Sequence, residues 1–201
     1  MAGRIQQLIS YEARAEKIQI KPALEEKKIL LISCGHFEKD ITSQISEDVV
    51  KQFHFPLHFK TCSLDIGDFY NPGRRQYDAN QILKAISLKA PSEYFKVMGL
   101  LRVDLFIPIL TYIFGQAALN GNIAIASLYR LRNELYGLTP DNQMLTERFS
   151  KVVIHEMGHL FGLIHCLDPV CIMRSSTYME DLDQKEKHFC PECREKLKTA
   201  G

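Results

Sequence analysis

Two hundred and one residues, 46% hydrophobic and 24% charged, describe one domain with at most a small appendage. Lysines and arginines number 25 against 24 acidic residues, a net charge of +1, which argues against a dedicated binder of nucleic acid or of anionic membranes. Six cysteines are too few for a disulfide scaffold.

Residues 1–26 are charged and irregularly patterned, predicting a helical or loose N-terminal arm without the apolar core of a signal peptide. Nowhere is there an uncharged run long enough for a transmembrane helix. Lys28 to Ser33, with Ile29, Leu30, Leu31 and Ile32 in succession, predicts a buried strand. Ile41, Ile45, Val49 and Phe53 then form one stripe of an amphipathic helix that Pro56 stops. Leu57 to Ile66 reads as a second strand and Asn71-Pro72-Gly73 as a turn. Tyr77 to Leu88 places Ile82, Leu83 and Ile86 on one helical face, and Val97 to Leu110 predicts a buried strand centred on Leu105-Phe106-Ile107. Asn120-Gly121-Asn122 is a turn before a strand from Ile123 to Leu131. Thr139-Pro140 supplies an N-cap and first position for a long helix running to about Ile164. Strands alternating with helices indicate an α/β or α+β fold. After Gly162 cysteine, proline and charge replace the helical pattern, which divides a single domain over 27–201 into a larger part, 27–164, and a small C-terminal subdomain, 165–201.

The chemistry concentrates at that division. His155-Glu156-Met157-Gly158-His159 is an H-E-x-x-H sequence inside the last predicted helix, so both imidazoles share a face and can reach one ion. By chance alone the pattern arises in roughly one chain in fifty. Requiring Gly162 and His165 as well lowers this to roughly three in a hundred thousand, against the bland reading of core or capping histidines. Gly162 can end the helix sharply and let the chain return His165 as a third ligand, leaving one open position on a catalytic zinc. His36, His54 and His58 read as surface or core histidines.

Cys34 and Cys62 sit alone in apolar stretches and read as small core residues. Cys166, Cys171, Cys190 and Cys193 have the spacing of a tetrahedral structural zinc site; a redox pair, disulfides or unrelated buried thiols are the alternatives. Clustered cysteines without a secretory signal place the protein in a reducing, cytoplasmic compartment. Lys27-Lys28, Arg74-Arg75 and Lys185 to Lys187 read as solvated faces.

The run from His155 to His165, followed by Met173, resembles the extended zinc motif and Met-turn of the metzincins. The four cysteines narrow the resemblance to the archaemetzincin family, whose pattern is H-E-x-x-H-x-x-G-x₃-C-x₄-C-x-M, a loop, then C-x-x-C. Every position is present, with the loop from Met173 to Cys190 one residue short of the family spacing. Arg75-Gln76-Tyr77, Asp104 to Pro108, Phe114-Gly115 and Ile125 to Leu131 are also similar to the family.

The resemblance implies a metzincin-like twisted mixed sheet with a backing helix, an active-site helix and a small zinc-bearing C-terminal part. It implies a zinc metallopeptidase with two zinc ions per chain, one catalytic and one structural. Glu156 is then the general base toward a water whose pKa zinc lowers to about 7. The substrate is a peptide or unfolded protein segment, on a monomer, with no nucleic acid or membrane partner. An edge strand above the cleft pairs with substrate, and Ile123, Ala124, Ile125, Ala126 and Ser127 are the candidates; an internally paired structural strand is the alternative. The tyrosine that many metzincins carry two residues after the Met-turn methionine is replaced by Ser175. A zinc protein of this fold that binds peptides and cleaves little, and an unrelated zinc-ribbon-like module, are the competing readings.

Overall fold

The computed structural model describes residues 27–61 and 64–199, so the expectations for the 1–26 arm and for Cys62 lie outside the described residues. The apolar run Ile29–Ser33 is strand β1, buried along its whole length. Helix α1, Lys39–Phe53, follows with Ile41, Ile45, Val49 and Phe53 inward, as their spacing predicts. Strand β2 spans Leu57–Thr61, shorter than expected.

Strands β3, Tyr70–Asn71, and β4, Gln76–Asp78, flank the Asn-Pro-Gly turn. Helix α2 starts only at Ala79 and runs to Lys89, because the Asp78 carboxylate caps it by accepting from the backbone N–H groups of Asn80 and Gln81.

The apolar stretch read as one strand from Val97 to Leu110 is two. Strand β5 is Lys96–Leu101 and strand β6 is Leu105–Phe106, in different sheets. Between them Ser127 Oγ donates to the Val103 carbonyl at 2.6 Å. Asp104 is held by the Arg130 guanidinium through bonds of 2.8 and 2.5 Å, which turns the chain away from the first sheet. Strand β7, Gly115–Ala117, precedes strand β8, Ile123–Ser127. The predicted strand to Leu131 stops at Ser127 because that hydroxyl also accepts from Tyr129 N–H and turns the chain into a 3₁₀ turn, Tyr129–Leu131.

Helix α3, Asn142–Leu160, is capped by Asp141, not by Thr139: the Asp141 carboxylate accepts from Met144 N–H at 2.8 Å. It ends four residues earlier than expected. Gly162 takes φ +81°, Leu163 N–H donates to the Gly158 carbonyl and Gly162 N–H to the His159 carbonyl, the paired bonds of a Schellman stop. Two short helices complete the described residues, α4 over Met179–Gln184 and α5 over Pro191–Thr199.

The main sheet has the order β2-β1-β5-β8-β7, parallel except for β7, which runs antiparallel to β8; β3, β4 and β6 form a small second sheet. Alternate residues face opposite layers. Leu31, Met98, Leu100, Ala124 and Ala126 pack with α1 and α3, whereas Leu30, Val97, Ile123 and Ile125 pack with α2. The mixed α/β fold agrees with the sequence reading. The edge assignment does not: β8 pairs on both sides, and its five residues, Ile123 to Ser127, are all buried. The strand at the cleft-side edge is β7, too short and too weakly alternating to stand out in the sequence. No helix among the described residues is long and apolar enough to cross a membrane.

Candidate metal centres

Helix α3 carries His155 and His159 one turn apart, and its Schellman stop turns the chain so that His165 returns to them. One ligating nitrogen from each of the three lies within 4.8 Å of the others. The ring orientations are set from behind. His155 Nδ1 lies 2.8 Å from the Ile172 carbonyl and His159 Nδ1 lies 2.7 Å from the Leu163 carbonyl. A carbonyl only accepts, so each Nδ1 carries the proton and each Nε2 presents a lone pair. Those two Nε2 atoms face each other at 3.2 Å. Tetrahedral zinc with Zn–N bonds of about 2.0–2.1 Å needs an N···N edge of about 3.4 Å, so the donors fit the ion, and two opposed lone pairs are otherwise repulsive. Burial holds the His155 imidazole well below its usual range and lowers His159 and His165 as well, keeping all three in the neutral, ligating form.

Glu156 is buried beside them. Burial pushes its carboxyl up to about 8, with the nearby Lys185 ammonium working against the rise. A dication at the imidazoles pulls in the same direction as Lys185 and favours the carboxylate. β7 passes so close to this side chain that a Cβ on Gly115 would lie 2.7 Å from Glu156 Cγ and 2.7 Å from the Ile125 carbonyl oxygen. Met173, fully buried, lies beneath the helix: a Cβ on Gly158 would meet its sulfur at 2.5 Å. The Met173 carbonyl accepts from Cys166 N–H at 2.9 Å, which ties the turn to the chain just after His165.

The Sγ atoms of Cys166, Cys171, Cys190 and Cys193 form the second cluster, again within 4.8 Å of one another, and none of the four is in a disulfide. Cys166 Sγ and Cys190 Sγ are 3.8 Å apart, matching the S···S edge of about 3.8 Å that Zn–S bonds of about 2.3 Å impose. Burial pushes the Cys171 and Cys193 thiols up, so a cation is what would make four thiolates tolerable at this spacing. Leu182, Phe189, Cys193 and Leu197 join the same core layer as α1 and α3, so the cysteine-bearing segment is packed onto the domain. His36, His54 and His58 take no part in either cluster.

A cavity of about 580 Å³ opens over the imidazoles, lined on one side by β7 and on the other by Ser175 to Tyr178. Lys185 also lines it, which corrects the solvated reading of Lys185 to Lys187: Lys185 is 3% exposed. Its Nζ donates to the Arg174 carbonyl at 2.8 Å and the Ile172 carbonyl at 3.2 Å, and burial lowers it to about 8. A lysine inside a charge run carries no sequence signal of burial. Gly115, by contrast, lay within the Phe114-Gly115 pair already similar to the family.

The model of peptidase family M54 matches residues 66–199. The archaemetzincin of Pyrococcus furiosus is 37% identical over 84% of this chain and 91% of its own length, and that of Methanocaldococcus jannaschii is 40% identical over 66% and 72%. Among solved structures, the archaemetzincin of Methanopyrus kandleri superposes with TM-score 0.77 at 31% identity, covering 90% of this chain and 98% of that one. A zinc-dependent peptidase from Methanocorpusculum labreanum gives TM-score 0.75 at 30% identity, covering 84% and 99%. With sequence, fold and ligand geometry in agreement, the chain belongs to peptidase family M54, the archaemetzincin zinc metallopeptidases.

Proposed function

We propose that the chain hydrolyses peptide bonds in extended peptides or unfolded protein segments, with His155, His159 and His165 as ligands of a catalytic zinc and Glu156 as general base. The observation that carries this reading is the pair of Nε2 lone pairs opposed at 3.2 Å beside a buried carboxylate, at the floor of an open cleft. When bound, zinc acts as a Lewis acid toward the scissile carbonyl and toward water. A Glu156 carboxylate oxygen takes a proton from the attacking water and delivers it to the leaving amine nitrogen. The outer edge of β7, Gly115–Ala117, replaces β8 as the strand offering backbone groups to an extended substrate. One chain supplies every one of these groups, so a monomer suffices. The four cysteines hold a second, structural zinc, and a reducing, cytoplasmic setting keeps their thiols available.

Metal analysis of protein purified without chelator is expected to give two zinc ions per chain; one or none breaks the two-site account. A peptide library should be cleaved by this protein, silenced by a zinc chelator and cleaved again after zinc is restored. A fully loaded protein that cleaves no peptide would be a binder of this fold. Gly115→Ala tests the close approach of β7, since the added methyl meets both the Glu156 side chain and an unyielding backbone oxygen. The expected result is a loss of about 10²-fold in kcat/KM from displacement of the base, with zinc content unchanged.

A further inference from the structure

The hydrolytic reading leaves one charge in the cleft without a task. Lys185 is almost fully buried, yet its ammonium meets only the neutral carbonyls of Arg174 and Ile172. An ammonium has three donors, so one remains. Among the described residues no carboxylate lies within ion-pair distance of Lys185. Glu156, Cys171 and Asp181 act on it only through space, and the Lys151 ammonium opposes them. The wall of the same cavity includes Ser176, whose Oγ is buried without a hydrogen-bond partner. Val152, Leu182 and Tyr112 line the same cavity, and buried polar groups are costly to leave unsatisfied.

One ligand group answers both needs. A carboxylate accepts a charge-assisted bond from an ammonium and a second bond from a hydroxyl, and it neutralises the buried charge. A substrate amide or hydroxyl can hydrogen-bond to these groups but leaves the charge unbalanced.

We propose that Lys185 and Ser176 form a carboxylate-binding subsite, so that the cleft favours peptides presenting an Asp or Glu side chain, or a free C-terminus, next to the bond to be cut. The inference rests on the proposed peptidase reading for the placement of the peptide; the subsite itself stands on the two buried groups.

Lys185 also ties the carbonyls on either side of Met173, so its loss can loosen the turn and depress all binding together. The informative quantity is therefore a ratio between matched peptides, which a purely structural role leaves unchanged. Calorimetry on zinc-loaded Glu156→Gln protein compares blocked alanine pentapeptides carrying a central Glu or Gln, and an acetylated trialanine with a free or amidated C-terminus. At least one carboxylate peptide is expected to bind about tenfold or more tightly than its neutral partner, the scale of a charged hydrogen bond. That ratio should fall to within about twofold in Lys185→Met and shrink clearly in Ser176→Ala, whose small change leaves the Met173 turn untouched. The Glu arm identifies a side-chain carboxylate, and the C-terminal arm a terminal one. Equal binding of charged and neutral peptides, no binding of either, or a preference that survives both substitutions overturns the subsite. Parallel cleavage assays on the wild type separate the two readings. Cleavage without a carboxylate preference removes the subsite alone, and carboxylate-selective binding without cleavage removes the peptidase reading alone.

Discussion

Glu156→Gln is expected to lower kcat/KM for peptide hydrolysis by about 10²–10⁴-fold, the range of a positioned general base, while zinc content and secondary structure stay at wild-type levels. Glutamine is the sharper substitution than alanine. It keeps the volume packed against β7 at Gly115, so the loss reports the missing proton acceptor and not a collapsed wall. The Nε2 atoms of His155 and His159 are aimed by the Ile172 and Leu163 carbonyls, which the substitution leaves in place, so metal binding should survive. A quenched-peptide library with both proteins measures the difference. Equal product from the two would mean a contaminating activity.

The second large effect is expected from Cys190→Ser combined with Cys193→Ser. Structural zinc contributes on the order of 10 kcal/mol in isolated zinc modules, comparable with the whole stability of about 5–15 kcal/mol of an ordinary domain. The double variant should lose one zinc per chain and unfold at a much lower temperature. Activity should fall with it, because the segment held by the cysteines also holds the catalytic side. Cys166 follows His165 directly, and Cys171 precedes Ile172, whose carbonyl orients His155. Zinc stoichiometry and thermal unfolding check this; an unchanged transition would remove the structural site.

These two effects concern residues that are legible in one dimension. The chain from His155 to Cys193 announces its two candidate metal clusters by spacing, because helix periodicity puts positions four apart on one face and a glycine stop returns a third imidazole. The stripe Ile41, Ile45, Val49, Phe53 reappears as α1 because its spacing puts the apolar side chains on one helical face, and the run Ile29 to Ile32 reappears as β1, a strand covered on both faces. Boundaries were less legible wherever a side chain settled them: Asp78 and Asp141 as caps, and Ser127 and Asp104 as the groups that break long apolar stretches.

By itself the sequence determined the α/β class, the two candidate ligand clusters and the family resemblance, all properties of local spacing and composition. Only the tertiary structure decided which strand is the edge, where the wall of the cleft runs and that Lys185 lies inside it. An edge is defined by the absence of a neighbouring strand, and β8 has the apolar sequence of a strand whether it is flanked on one side or two. Burial of a single lysine depends in the same way on what packs around it from elsewhere in the chain, here the Met173 turn and helix α3.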